Sequence, residues 1–88
     1  MNDDRHPLDF PCVFPIKVMG RSSDEFEGLV LSLVNRHVDA PGETKVSSRP
    51  SREGRYTALT ITITATSRAQ LDNIYRELSA CEQVLMAL

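Results

Sequence analysis

Two hydrophobic periods alternate along the chain. From Tyr56 to Thr66 the period is two: Leu59, Ile61, Ile63 and Ala65 fall on one side of an extended chain, and Thr60, Thr62, Thr64 and Thr66 on the other. β-Branched residues in strict alternation predict a half-buried strand whose apolar side is covered and whose threonine side is open. Cys12 to Met19 behaves alike, with Cys12, Phe14, Ile16 and Val18 set against Val13, Pro15, Lys17 and Met19. Pro15 cannot donate to a sheet ladder, so its nitrogen is expected at a bulge, near the strand start or at an unpaired place. Between these strands the period lengthens, and Phe26, Leu29, Val30, Leu33, Val34 and His37 form one helical stripe. Ser22-Ser23-Asp24-Glu25 has the spacing of a capping box, which predicts a helix starting there. Arg36 and His37 are expected in its last turn, where the macrodipole favours cations, and Pro41-Gly42 ends it.

A short strand over Thr44 to Arg49 precedes Pro50-Ser51-Arg52-Glu53-Gly54, a turn leading into the threonine strand. Ser67 and Gln70 repeat the capping logic, and Leu71, Ile74, Tyr75 and Leu78 give a second apolar stripe with Asp72 and Arg76 spaced as an outer i, i+4 pair. Gln83 to Leu88 alternates Val84, Met86 and Leu88 against Leu85 and Ala87 as a last strand. The order β-α-β-β-α-β predicts an α+β, ferredoxin-like sandwich: one four-stranded antiparallel sheet, the first and third strands central, both helices on one face. That arrangement leaves Lys17, Met19, Thr60, Thr62 and Thr64 on an uncovered face. It also sets Cys12 and Cys81 about 20 Å apart, beyond disulfide reach.

The 88 residues make one domain, expected over residues 10–88 behind a loose N-terminal tail from Met1 to Asp9. The net charge of −2 argues against a general nucleic-acid binder or a membrane-surface protein. Its distribution is uneven, because Lys45 to Arg55 carries +3 and the remainder −5. No stretch approaches the roughly 20 apolar residues of a membrane span, and the N-terminus has no signal-like pattern, so a cytoplasmic location is expected. Two cysteines without CxxC spacing point to small apolar core residues rather than to a disulfide framework, zinc or thiol redox work.

Phe10-Pro11, Phe14, Lys17-Val18-Met19-Gly20, the Ser51 to Tyr56 turn with its Gly54, and the Thr60 to Thr66 strand carry a resemblance to a known family. The chain resembles the YbeD-like family of small bacterial proteins of unknown function, from Phe10 to Leu88. The resemblance implies a domain similar to the ACT regulatory domains of amino-acid metabolism, in cytosolic proteins without assigned catalysis. Genes of the family often neighbour a lipoyl-transfer gene, which raises lipoylation as a pathway to test. It supplies no established functional residues.

Candidate chemistry is sparse. Gly20, Arg21, Ser22 and Ser23 join a strand to an expected helix N-terminus, where free amides favour a small anion. The plainer reading is that the serines cap and Gly20 permits the bend, although capping does not call for Arg21. Arg49, Arg52 and Arg55 could meet phosphates or an acidic partner, or be solvated turn charge. RNA-recognition domains of this topology stack bases on aromatics of their first and third strands, and here those positions hold threonine. Acylphosphatases place an arginine in the strand-to-helix loop, but no asparagine stands on the third strand to position a water. Copper carriers of this topology need two cysteines where Met19 to Ser22 has none. His6 and His37 lack clustered partners, and His37 reads as closing its helix.

The expectation is therefore a non-enzymatic regulatory or protein-interaction domain with no catalytic residues, cofactor or metal. It would sense a small metabolite through Gly20 to Ser23, or dock on an enzyme or its own twin through Lys17, Thr60, Thr62, Thr64, Arg49, Arg52 and Arg55. An RNA-binding module built on the basic hairpin and a hydrolase built on Arg21 are the alternatives.

Overall fold

A computed structural model describes residues 9–88. The expectation of a loose tail over Met1 to Asp9, and the position of His6, fall almost wholly outside the described residues. The elements follow in the order β1 (Cys12–Arg21), α1 (Phe26–Asn35), a 3-10 turn (Pro41–Glu43), β2 (Lys45–Pro50), β3 (Tyr56–Ala65), α2 (Arg68–Ala80) and β4 (Val84–Ala87). The strands form one sheet in the order β2-β3-β1-β4, every neighbouring pair antiparallel. This is the ferredoxin-like α+β arrangement that the two hydrophobic periods predict.

Strands β1 and β3 pair without interruption from Cys12 opposite Ala65 to Arg21 opposite Tyr56. The pleat then sends alternate residues to opposite sides. Ile16 and Val18 of β1 and Leu59, Ile61, Ile63 and Ala65 of β3 are buried on one side, together with Phe26, Val30, Leu33 and Val34 of α1 and Leu71, Ile74 and Leu78 of α2. Phe10, Cys12, Phe14, Val46, Cys81 and Val84 pack around this core half-buried, and both cysteines are free thiols. Leu31, rather than Leu29, adds to the α1 contact with the core.

The start of α1 differs from the expectation. The helix begins at Phe26, four residues after Ser22, and its N-cap Glu25 makes no side-chain cap. Ser22 is held by the sheet instead, its amide donating to the Arg55 carbonyl at 2.9 Å and its hydroxyl paired with that of Thr57 at 2.7 Å. The β1–β3 ladder thus claims the hydroxyl that the local sequence assigns to a cap. Gly20 is likewise a strand residue, buried beneath Phe26.

The other end of α1 also comes early, at Asn35, so Arg36 and His37 lie past its last turn. Both reach across to α2 instead: Arg36 donates to Glu77 at 2.9 Å, and His37 Nε2 bonds to the other oxygen of the same carboxylate. At the start of α2 the Ser67 hydroxyl caps the Gln70 amide at 3.0 Å, as its spacing predicts. The Gln70 side chain, 8% exposed, accepts from the Thr66 amide at 2.7 Å and donates to the His37 carbonyl at 2.8 Å. Such a buried amide is tolerated because both its ends are bonded, and it ties the end of α1 to the start of α2. On the outside of α2, Arg76 donates to Asn73 rather than pairing with Asp72.

The edges of the strands accommodate Pro15 and Pro50. Lys17 exchanges both backbone bonds with Leu88, at 3.0 and 2.8 Å. By the strand period Pro15 turns its nitrogen to that same side, beyond the end of β4. Ser51 donates to the Tyr56 carbonyl at 2.8 Å, so its neighbour Pro50 turns its nitrogen outward from β2. A missing donor on the outer edge of β2, and another on the stretch of β1 that β4 leaves uncovered, discourage pairing with another strand at those places. The hairpin between β2 and β3 closes on Gly54, whose φ of 75° suits a residue without Cβ.

Two outcomes are expected. A methyl group at Gly20 would drive into the Phe26 ring and the Gln83 carbonyl oxygen, so Gly20→Ala should lower stability in urea unfolding by about 2 kcal/mol or more. Burial raises the pKa of the Tyr75 phenol above the ordinary 10.0. The unfolded chain then loses this proton first, and stability should fall as pH rises through about 10. Tyr75→Phe should remove that part of the decline in alkaline melting curves.

Candidate functional site: the open face of the sheet

The helices cover one side of the sheet, and the pleat delivers a defined set of residues to the other. Lys17 pairs with Thr60 and Thr60 with Ser47, while Met19 pairs with Ala58 and Ala58 with Arg49. On the β4 side Met19 lies opposite Met86, and Lys17 opposite Leu88 through their backbone bonds. Two parallel rows therefore cross all four strands: Met86, Met19, Ala58, Arg49, and beside it Leu88, Lys17, Thr60, Ser47. These residues line a trough of about 460 Å³.

The trough is apolar at one end and cationic at the other. Met19, Met86 and Leu88 stay 41%, 51% and 69% exposed at the β4 end, and it is their grouping rather than their individual exposure that marks this end of the trough. Arg49 stands at the β2 end, and Lys17 between the two. Farther along the same face lie Lys45 opposite Thr62, then Thr64 opposite Val13, and at the other limit Arg21 opposite Tyr56. The strand residues of this face thus carry four cations and no acid. With a net charge of −2, the rest of the chain holds −6. Asp24, Glu25, Glu27, Asp72, Glu77 and Glu82 all lie on the helical side or its connections.

Of the residues expected to form an interaction surface, Lys17, Thr60, Thr62, Thr64 and Arg49 come together on one face. Arg52 and Arg55 instead ride on the exposed hairpin turn, where Arg55 pairs with Glu53 at 3.6 Å. Gly20 is buried with its strand, while Arg21 and Ser22 border a shallow hollow of about 350 Å³ with Arg55 and Tyr56. The Ser22 amide and hydroxyl are both used within the fold. Lys45, Ser47, Met86 and Leu88 were missed as face residues. The last two share a side in the simple alternation of β4, but so does Val84, which packs on the core. A bulge separates them: the register against β1 shifts between Met19 and Gly20, so Val84 and Ala87 turn inward and Met86 turns out. Among the described residues no three His, Cys, Asp or Glu gather as metal ligands, and no helix is long and apolar enough to cross a membrane.

Residues 5–88 match the family described as "Protein of unknown function (DUF493)". The chain belongs to this family. Similar relatives are UPF0250 proteins of bacteria. That of Chromobacterium violaceum is 46% identical over 89 residues, with all of both chains covered. That of Paraburkholderia phytofirmans is 45% identical over 81 residues, covering 92% of this chain and 91% of the relative. Among solved structures, the solution structure of HP0495 from H. pylori is similar with a TM-score of 0.74 at 12% identity, covering 99% of this chain and 91% of that one. The ACT domain from GTP pyrophosphokinase of Chlorobium tepidum gives 0.61 at 9% identity, covering 88% and 83%. At such identities the likeness is one of fold, and it agrees with the expected ACT-like, ferredoxin-like sandwich.

The assignment of faces has a direct check. Met86→Asp should change unfolding free energy by no more than about 0.5 kcal/mol, as an exposed substitution does. Ile61→Asp, on a central strand but turned inward, should cost about 4 kcal/mol or more and unfold the domain. Comparable losses from both would place Met86 in the core.

Proposed function

We propose that this protein is a non-enzymatic interaction module that docks on a partner through the open face of its sheet. The observation that carries the reading is the trough across the four strands, with Met19, Met86 and Leu88 left exposed beside Lys17 and Arg49. Large apolar side chains grouped on a surface and rimmed by charge mark interaction sites. Methionine in particular adapts to irregular partners. The face offers lysine, arginine, threonine, serine and methionine, a set suited to holding something rather than to acid–base or nucleophilic chemistry.

The fold shared with an ACT domain fits a regulatory role for such docking, but a shared fold does not name a ligand. The hollow at Arg21, Ser22, Arg55 and Tyr56 is a second place for a small anion. It is the weaker of the two, since Ser22 already spends its polar groups inside the protein.

Affinity capture from a native bacterial host tests the reading, with wild type compared against the Met19→Asp, Met86→Asp double variant. Distinct proteins retained by wild type and lost from the folded variant are the expected result. The same set retained by both would end the docking role of this face. A melting-temperature screen of amino acids and lipoyl compounds addresses the metabolite version, where a ligand at a hundredfold excess over Kd stabilises by about 2.7 kcal/mol.

A further inference from the structure

The occupant of the trough can be named by its chemistry. Resting on the docking reading above, we propose that the open face receives an acidic amphipathic helix of a partner protein. The apolar stripe of that helix lies on Met19, Met86 and Leu88, and its carboxylates meet Lys17 and Arg49.

Charge complementarity selects an acidic partner. The strand residues of the face include Lys17, Arg21, Lys45 and Arg49 and no aspartate or glutamate, although the chain as a whole is acidic. Four cations and no acid among the strand residues of this face, in a chain of 12 acids and 10 bases, make a polarised surface, and such a surface steers partners of opposite sign. The same fact argues against a second copy packed face to face, which would set four cations against four. A single-stranded nucleic acid also needs cations, but it needs stacking platforms too, and among the described residues the exposed aromatic is Tyr56, at the rim rather than in the trough.

Geometry selects a helix over an added strand. Pro50 turns a nitrogen without hydrogen to the outer edge of β2, and Pro15 does the same on the stretch of β1 that β4 leaves uncovered, which hinders an incoming strand at both places, whereas the face itself is open. The trough runs across the strands, and three interstrand spacings of about 4.8 Å span about 14 Å. A helix rising 1.5 Å per residue crosses that width in about 10 residues. Apolar anchors at the Met86 end and carboxylates at the Arg49 end then fall on one helical side at i, i+3, i+4 and i+7, the usual spacing of helix-in-groove recognition. The covered side of this same sheet already accepts two helices on an equally pleated surface.

The test uses a fluorescent amphipathic peptide of roughly 16 residues, about 24 Å as a helix, with leucine and methionine on one stripe and glutamate on the flanks. Its twin carries lysine in place of every glutamate. The glutamate peptide should bind, shift the amide resonances of Lys17, Thr60 and Met86, and weaken as salt rises. The lysine twin should bind about tenfold or more less tightly. In the Lys17→Glu, Arg49→Glu protein, whose two changes are at exposed positions, the preference should invert in favour of the lysine twin. Equal affinity for the twins, shifts confined to α1 and α2, no binding of the glutamate peptide, or tighter binding of oligouridylate would each overturn the proposal. If the peptides fail while host proteins are still lost from the Met19→Asp, Met86→Asp variant, the face docks something other than an acidic helix. Failure of both ends the docking reading itself.

Discussion

The unbroken pairing of β1 with β3 is the constraint on which the rest of this structure depends. Ten consecutive residue pairs, from Cys12 with Ala65 to Arg21 with Tyr56, lock the pleats of two strands in phase. A slip of one residue on either strand would exchange Ile61 and Ile63 for Thr60 and Thr62 in the core. Because that slip would bury threonine hydroxyls and expose isoleucine, the register is strongly specified, and with it the sorting of every neighbouring residue. The helices cover the face that the register makes apolar. What the register sends to the other side becomes the surface available for recognition.

The same sorting separates charge. Cations at Lys17, Arg21, Lys45 and Arg49 occupy outward positions on two strands, β1 and β2, and no acid stands in any of the four strands. None of the four cations is required by the fold, since each is exposed and a threonine or serine would serve as well on an open pleat. Their agreement in sign across strands distant in sequence is what gives the face its character. Beside them, the bulge opposite Met19 and Gly20 turns Met86 out while keeping Val84 in, which places apolar surface next to the charge.

The sheet was largely legible in the sequence because period-two alternation is a local signal, and β1 and β3 state it over ten residues each. The helices were legible as stripes, but their ends were not. Ser22 looks like a cap until Thr57, 35 residues away, takes its hydroxyl. Arg36 and His37 look like the last turn of α1 until Glu77, 41 and 40 residues away, draws both across to α2. In each case a distant partner outbid a local motif. The site was half legible for a related reason. Lys17 and the threonines belong to strands whose faces can be read directly, whereas Met86 is turned outward by a bulge that no local pattern announces. Arg52 and Arg55 looked equivalent to Arg49 along the chain, yet Arg49 is in a strand and the other two are past its end.

The central claim is that recognition happens on the strand face and that what binds there is an acidic protein segment. Photo-crosslinking in living host cells tests it most directly, with a photoreactive side chain placed at Thr60 in the middle of the open face or at Asp72 on the exposed side of α2. A discrete protein adduct is expected from position 60 and none from position 72, with the crosslinked partner peptide rich in glutamate or aspartate. A discrete adduct from position 72 alone, or crosslinks from position 60 that run to RNA or to a basic peptide, would contradict it.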